Sequence, residues 1–168
     1  MSDMEKFNFA LIASGFDHEA EGFEDALFEA GCDDATVSAQ KGLLILDFCR
    51  ESVGIANAIK SAISDVERAG GHVLHVEPDN LVSMADIACR AEVSRQSVHN
   101  WATGKRCEDF PLPVARVMSD HPLWEWAKVA AWLFRERRLP RRVLHEAKIV
   151  SGFNRRLRNK SSDHIHAA

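Results

Sequence analysis

Five side chains within one short segment carry hydrogen-bonding groups that can read the edges of nucleic-acid bases. They are Arg95, Gln96, Ser97, His99 and Asn100. Arginine can make two parallel hydrogen bonds to guanine, and glutamine or asparagine can do the same with adenine. On a helix, residues four apart share a face, so this set points outward together, with Ser97 at its margin. The chemistry that the segment predicts is direct readout of a DNA sequence.

Two short helices joined by a tight turn must position this segment. Residues 83–104 predict them, because Ser83 and Ser94 can each accept a backbone hydrogen bond as the N-cap of a helix. Asp86 follows Ser83 by three positions, as in a capping box. Apolar residues fall where the helices must pack: Ile87, Ala88, Val93, Val98 and Trp101. The pattern predicts a helix-turn-helix, with Glu92 in the turn where a glycine is common.

The residues after the helix pair predict a wing and a further helix. Residues 114–118 and 123–126 can pair as a hairpin around a turn that contains a proline. Residues 127–137 have the apolar spacing of a helix. An aromatic-proline segment, 110–113, and a tryptophan-rich run, 122–133, accompany these elements.

Taken together, residues 81–136 resemble the winged helix-turn-helix domains of MerR-like and excisionase-like DNA-binding proteins. The resemblance implies that a recognition helix, 94–102, enters the major groove. It also implies that Lys105, Arg106 and Arg116 contact the DNA backbone. More loosely, the whole chain is similar to small bacterial helix-turn-helix proteins with an acidic N-terminal domain.

Residues 1–78 predict a separate domain with the ferredoxin-like order βαββαβ, so the whole chain is expected to be α+β. The expected elements are strand 7–13, helix 23–30, strands 35–40 and 43–48 joined at Lys41 and Gly42, a helix capped by Ser52, and strand 72–77. This domain is expected to dimerise the chain or to bind a protein or small-molecule partner.

Charge is divided unevenly along the chain, whose net charge is −4. Residues 1–80 contain 5 basic and 16 acidic side chains, residues 81–134 contain 6 of each, and residues 135–168 contain 10 and 3. The expected C-terminal part, 137–168, is a helix that starts at Pro140 and ends in a basic tail. We expect Arg141, Arg142, Arg155 and Arg156 to hold DNA phosphates, or the basic segment to rest on the acidic domain.

Signals for catalysis and for cofactors are missing from the sequence. It contains no phosphate-binding glycine loop, no nucleophile elbow and no zinc-protease motif, so we expect neither an enzyme nor a metal or cofactor site. The four cysteines form no CxxC pair, and we expect reduced, mostly buried thiols. No apolar run is long enough to span a membrane, which favours a cytoplasmic protein.

These observations predict a transcriptional regulator that binds double-stranded DNA as a homodimer. Two recognition helices on half-sites about 34 Å apart read more sequence than one helix can. The alternative is a protein-interaction module, such as an antitoxin or adaptor, whose acidic domain neutralises a protein partner. Such a module can bind DNA as well.

Overall fold

The protein is α+β, with a four-stranded antiparallel sheet and six helices among the residues that the structure describes. The structure is a computed structural model that describes residues 3–17 and 20–166, with side chains as far as residue 161. The chain divides into two compact units. We call Met1–Pro78 with Gly152–Ala168 the sheet unit, and Asp79–Ser151 the helical unit.

The sheet unit contains four strands and two helices in the order βαββαβ. The spatial order of the strands is β2-β3-β1-β4, and all neighbours are antiparallel. The elements are β1 (Glu5–Ser14), α1 (Phe23–Glu29), β2 (Ala35–Gln40), β3 (Leu43–Ser52), α2 (Ile55–Arg68) and β4 (His72–Glu77).

The core of the sheet unit follows from alternation along the two central strands. Phe9 lies opposite Phe48, with ring centroids 5.4 Å apart, and Leu11 lies opposite Leu46. All four are buried, as is the apolar stripe of α2 that includes Ile59. The period of two on the strands and the helical period on α2 therefore supply one shared core.

The turn between β2 and β3 has the geometry that the sequence predicts. Lys41 and Gly42 both have positive φ angles, 53° and 78°, as a two-residue hairpin turn requires.

The N-cap predicted for α2 is wrong. Ser52 is the last residue of β3, where it lies opposite Glu5, and the N-cap of α2 is Gly54. The strand continues past residue 48 because the buried and exposed alternation continues.

A buried arginine joins β3 to the ends of α1 and α2. Arg50 is 8% exposed and donates two hydrogen bonds of 2.8 Å to the carboxylate of Asp34. It also donates to Asp65 at 2.7 Å, to Ser61 at 3.0 Å and to the carbonyl of Gly31 at 2.7 Å. The hydrogen bonds to Asp34, and then those to Asp65, raise the pKa of Arg50 above its ordinary value. Arg50 therefore has a structural role, because its hydrogen bonds connect β3 to α2 and to the residues that follow α1.

A second polar tie fixes the C-terminal helix to the sheet unit. Asn154 is 1% exposed, accepts a hydrogen bond from the Val76 N–H at 2.7 Å and donates one to the Val76 carbonyl at 3.0 Å. One amide side chain thus binds both backbone groups of a residue on β4. Nearby along the helix, Leu157 is buried, and Lys160 pairs with Glu67 of α2 at 2.9 Å.

The helical unit surrounds a core of tryptophans. Its elements are β5 (Leu81–Val82), α3 (Met84–Arg90), α4 (Arg95–Ala102), β6 (Trp124–Glu125), α5 (Trp126–Arg135) and the start of α6 (Arg141–His166). Trp101 and Trp132 lie 5.2 Å apart, and Phe110 packs on Trp132 at 5.0 Å. Trp124 is buried and donates to the carbonyl of Pro111 at 2.9 Å. This aromatic cluster holds α3, α4 and α5 in one core.

The predicted wing hairpin forms at one bridge between the predicted segments and is wrong beyond it. Ala115 and Leu123 form a single bridge, while Trp124 pairs with Val82 of β5. The ladder cannot lengthen toward residue 113, since Pro113 has no N–H to donate, and at the other end Arg116 turns the chain with φ 50°. The wing is therefore a loop pinned at one bridge.

The predicted C-terminal tail and cysteine burial also need correction. Residues 153–160 continue α6, because no proline or glycine breaks the helix after Gly152, and α6 supplies residues to both units.

Of the four cysteines, which are all free thiols, only Cys32 is buried, and burial raises its pKa to about 11. Cys49 and Cys89 are exposed.

Candidate nucleic-acid interface

Both helices of the predicted helix-turn-helix begin at the serines that the sequence indicates. The Ser83 hydroxyl accepts from the Asp86 N–H at 3.2 Å, and the Asp86 carboxylate accepts from the Ser83 N–H at 2.8 Å, which completes a capping box. The Ser83 hydroxyl also donates to the Asp86 carboxylate at 2.6 Å, and this hydrogen bond, followed by the one from the Ser83 N–H, lowers the pKa of Asp86. Ser94 caps α4 by accepting from the Ser97 N–H at 3.1 Å.

The turn between α3 and α4 has the backbone geometry that usually favours glycine. Glu92 has φ 53°, and the Val93 N–H returns to the carbonyl of Ala88 at 2.9 Å. Ile87 and Val98 are fully buried on either side of this turn. The packing of these two side chains offsets the strain of a non-glycine residue there, which is of order 1 kcal/mol.

The outward face of α4 carries the side chains predicted to read bases. Arg95, Gln96 and His99 are exposed, and Asn100 is half-buried. Gln96 donates to the Asn100 side-chain oxygen at 3.1 Å, which orders the two amides along one face. Ser97 is half-buried and its hydroxyl lies 2.9 Å from that of Ser94, so its contacts are those of a capping residue.

A groove brings this face of α4 together with the wing. Arg95, Gln96 and His99 of α4 and Arg116 and His121 of the wing line the same cavity of about 540 Å³. Asp120 contributes one carboxylate to the lining. Five of these six side chains, all except Asp120, can donate hydrogen bonds, which suits an anionic ligand.

The other residues predicted to contact DNA lie on different elements. Lys105 and Arg106 are exposed just after the C-terminus of α4, where the Lys105 N–H binds the carbonyl of Asn100 at 3.0 Å. Arg141 and Arg142 are exposed on the first turn of α6, and Arg142 pairs with Glu146 at 2.9 Å.

The two remaining arginines belong to the sheet unit, together with the acidic N-terminal residues. Arg155 and Arg156 are exposed on α6, and the Arg156 guanidinium lies 4.6 Å from the centre of the Phe153 ring. Their predicted contact with phosphates stays a prediction. The neighbouring Lys160, which pairs with Glu67, is bound to the acidic part of the chain.

The boundaries of the helical unit change its charge. Residues 79–151 contain 12 basic and 9 acidic side chains, a net charge of +3, whereas the sheet unit contains 9 and 16, a net charge of −7. The helical unit is positive because it extends past residue 134 and so includes the arginines at the end of α5 and the start of α6. A positive surface favours nucleic-acid binding.

Sequence reasoning missed the contribution of His121 and Asp120 to the groove. Their place depends on how the wing returns to α3, which no local pattern encodes. It also missed two arginines that lie over tryptophan rings, Arg90 over Trp126 at 5.1 Å and Arg138 over Trp101 at 5.3 Å. These arginines cover the aromatic core and are structural.

The part of the chain that the structure describes contains no group of three or more His, Cys, Asp or Glu side chains that could hold a metal ion. None of its helices is long and apolar enough to cross a membrane. Comparison with protein-family models, with curated proteins and with solved structures found no match to this chain.

Proposed function

We propose that the helical unit is a winged helix-turn-helix that binds double-stranded DNA selectively, and that the protein is a transcriptional regulator of the cytoplasm. The observation that carries the proposal is the groove that Arg95, Gln96 and His99 of α4 line together with Arg116 of the wing. A helix with exposed bidentate donors next to a basic loop matches the geometry of major-groove readout with a second contact at the backbone.

In this proposal the residues of α4 have different tasks. Arg95 reads guanine, and Gln96 and Asn100 read adenine, because their side chains offer the required pairs of donors and acceptors. The hydrogen bond between Gln96 and Asn100 pre-orders both amides, so less side-chain entropy is lost on binding. Ser97 holds the start of α4, and its peptide N–H is used by the cap.

Phosphate contacts come from the ends of this surface. Arg116 lines the same groove as Arg95, and Lys105 and Arg106 follow the C-terminus of α4. The net charge of +3 on the helical unit supplies sequence-independent attraction, which the sheet unit with its charge of −7 does not. We infer a ferredoxin-like arrangement for the sheet unit from its strand order, and a homodimer as the DNA-binding form.

Selection of bound duplexes from a random pool, followed by gel-shift titration, tests the proposal. We expect Arg95→Ala and Asn100→Ala each to weaken binding to the selected site by about 5- to 150-fold while weakening binding to random DNA little, because a bidentate base contact contributes about 1–3 kcal/mol. Arg116→Ala should weaken both by a similar factor and lower the salt slope by about one. Lys60→Ala is the matched control, since it removes an exposed charge from the sheet unit.

The proposal is wrong if the full-length protein shifts no duplex at low salt. Equal losses on selected and random DNA for Arg95→Ala and Asn100→Ala would also overturn base readout by α4, and would leave only charge-driven binding.

A further inference from the structure

The sheet unit has one edge that nothing in its own sequence protects. Strand β2 lies at the end of the sheet and has the sequence ATVSAQ, with no charge and no proline. Its pairing with β3 is regular over all six residues, so no bulge twists the edge away. Charged residues, prolines and bulges are the usual means by which an edge strand avoids pairing with another chain. This strand has none of the three.

The opposite edge of the same sheet is closed. Strand β4 is the outer strand there, and Asn154 of α6 binds both the N–H and the carbonyl of Val76. The two edges of the sheet therefore differ: α6 binds the outer side of β4 at Val76, whereas no hydrogen bond from another described residue reaches the outward groups of Val37 or Ala39 on β2.

The backbone groups available on β2 can be identified from the hairpin. A two-residue turn joins β2 to β3, so Gln40 and Leu43 form the hydrogen-bonded pair that closes it. Such pairs alternate along an antiparallel ladder, and consequently the even-numbered residues of β2 bind β3. The bond from the Cys49 N–H to the Asp34 carbonyl agrees with this assignment. Val37 and Ala39 therefore direct their N–H groups and carbonyls away from β3.

We propose that β2 pairs with β2 of a second copy of this chain, in an antiparallel arrangement around a two-fold axis at Val37. In this register Val37 lies opposite Val37 of the second copy, and Ala39 lies opposite Ala35. The Ala35 N–H already donates to the Cys32 carbonyl at 3.1 Å, whereas its own carbonyl accepts the Ala39 N–H of the second copy. The two sheets become one of eight strands.

Charge at the ends of β2 favours a second copy over an unrelated strand. The sheet unit has a net charge of −7, which repels a second sheet unit, but β2 itself is uncharged, so the contact brings no like charges together along the strand. Asp33 and Lys41 lie in the turns before and after the strand and are exposed. In the antiparallel arrangement the end of β2 that carries Asp33 lies beside the end of the other copy that carries Lys41, so opposite charges meet on both sides of the axis.

The proposal also explains why such pairing stops at two chains. A two-fold contact uses the same edge on both copies and is closed. Asn154 binds Val76 at the other edge, which hinders a third chain from adding to the sheet there. The inference specifies the surface of the dimer proposed above, but it does not depend on DNA binding.

The test compares Val37→Pro with Val37→Thr by sedimentation equilibrium of the full-length protein. Proline removes an N–H that points away from β3, so the ladder within the chain is kept, and an edge is where a strand tolerates proline. We expect the wild-type protein and Val37→Thr to be dimers, and the dimer dissociation constant of Val37→Pro to rise about 10- to 100-fold through loss of two intermolecular hydrogen bonds.

Cross-linking tests the register and covers the case in which Val37→Pro fails to fold. In a background of Cys49→Ser, Cys89→Ser and Cys107→Ser, oxidised glutathione should link Val37→Cys between two chains. The matched variant Thr36→Cys should not link, because its Cα atom lies about 8 Å from its symmetry mate, beyond the reach of a disulfide.

Each outcome decides the proposal. A monomeric wild-type protein, an undiminished dimer in folded Val37→Pro, or equal cross-linking of the two cysteine variants would overturn it. DNA binding is read separately: Arg95→Ala and Asn100→Ala should remain dimers, so a failure of base readout is distinguishable from a failure of the β2 contact.

Discussion

The side chain of Asn154 makes the pair of hydrogen bonds to β4 that a neighbouring strand would otherwise make. Its amide carries a donor and an acceptor at the spacing of a backbone N–H and carbonyl, and it uses both on Val76. No other uncharged side chain apart from glutamine offers that pair. A polar residue in the middle of a basic helix gives no sign of this role in the sequence, because its partner lies 78 positions away.

At this scale we expect Asn154→Asp to destabilise the protein by about 2–4 kcal/mol. The carboxylate still accepts from the Val76 N–H, but it faces the Val76 carbonyl without a proton and is buried. Urea denaturation measures the free energy of unfolding. Asn159→Asp is the control, since Asn159 is exposed on the same helix and its change should cost less than about 0.5 kcal/mol. Equal losses for the two variants would show that the hydrogen bonds between Asn154 and Val76 contribute nothing to the free energy of unfolding.

Among the elements, helix α6 departs most from what the sequence predicts. Its apolar spacing ends near Val150 and a run of arginines follows, so the segment reads as a helix with a tail. The structure continues the helix to His166 through Gly152. By contrast, β2 and β4 have the predicted bounds, because the residues that end a short strand are a local signal: Gly42 follows β2, and β4 lies between Gly71 and Pro78.

The candidate site also contains parts that the sequence predicts and parts that it does not. The caps at Ser83 and Ser94 and the exposed face of α4 are local, and sequence predicts them. The wing is not local: Trp124 pairs with Val82, more than forty positions earlier, and that pairing decides where Arg116 and His121 lie. The structural role of Arg50 could not be predicted from the sequence for a related reason. Its burial depends on carboxylates from two other segments.

Two glycines give a matched test of helix α6. Both Gly152 and Gly104 have open space where a Cβ would stand, but Gly104 has φ +71° and Gly152 lies within the helix. We expect Gly152→Ala to stabilise the protein by about 0.5–1 kcal/mol, because alanine loses less backbone entropy in a helix. Gly104→Ala should destabilise it by about 1 kcal/mol. Thermal unfolding measures both, and a loss of stability in Gly152→Ala would contradict a continuous helix at that point.

At the scale of the whole molecule, the two edges of the sheet determine the association that we propose. The edge formed by β4 is bound by Asn154 of α6, and the edge formed by β2 is open. Removing the segment that contains Asn154 should therefore change the size of the assembly as well as its stability.

We expect a chain that ends at residue 151 to form assemblies larger than a dimer. It lacks Asn154, so both β4 and β2 present open edges, and edge-to-edge pairing no longer closes. Light scattering over a range of concentrations measures the assembly size. A chain that ends at residue 161 keeps Asn154, Leu157 and Lys160 and should match the full-length protein. If both shortened chains have the same size, α6 does not limit assembly.

The clasp of Asn154 on Val76 has a consequence during protein synthesis. Residue 78 leaves the ribosome 76 residues before Asn154 does. At about 5–20 residues per second, translation of that interval takes roughly 4–15 s. For those seconds β4 of the nascent sheet lacks its contact with α6, so both outer strands of the sheet are open to pairing with another strand. We expect the order in which the segments are made to influence which edge pairs first.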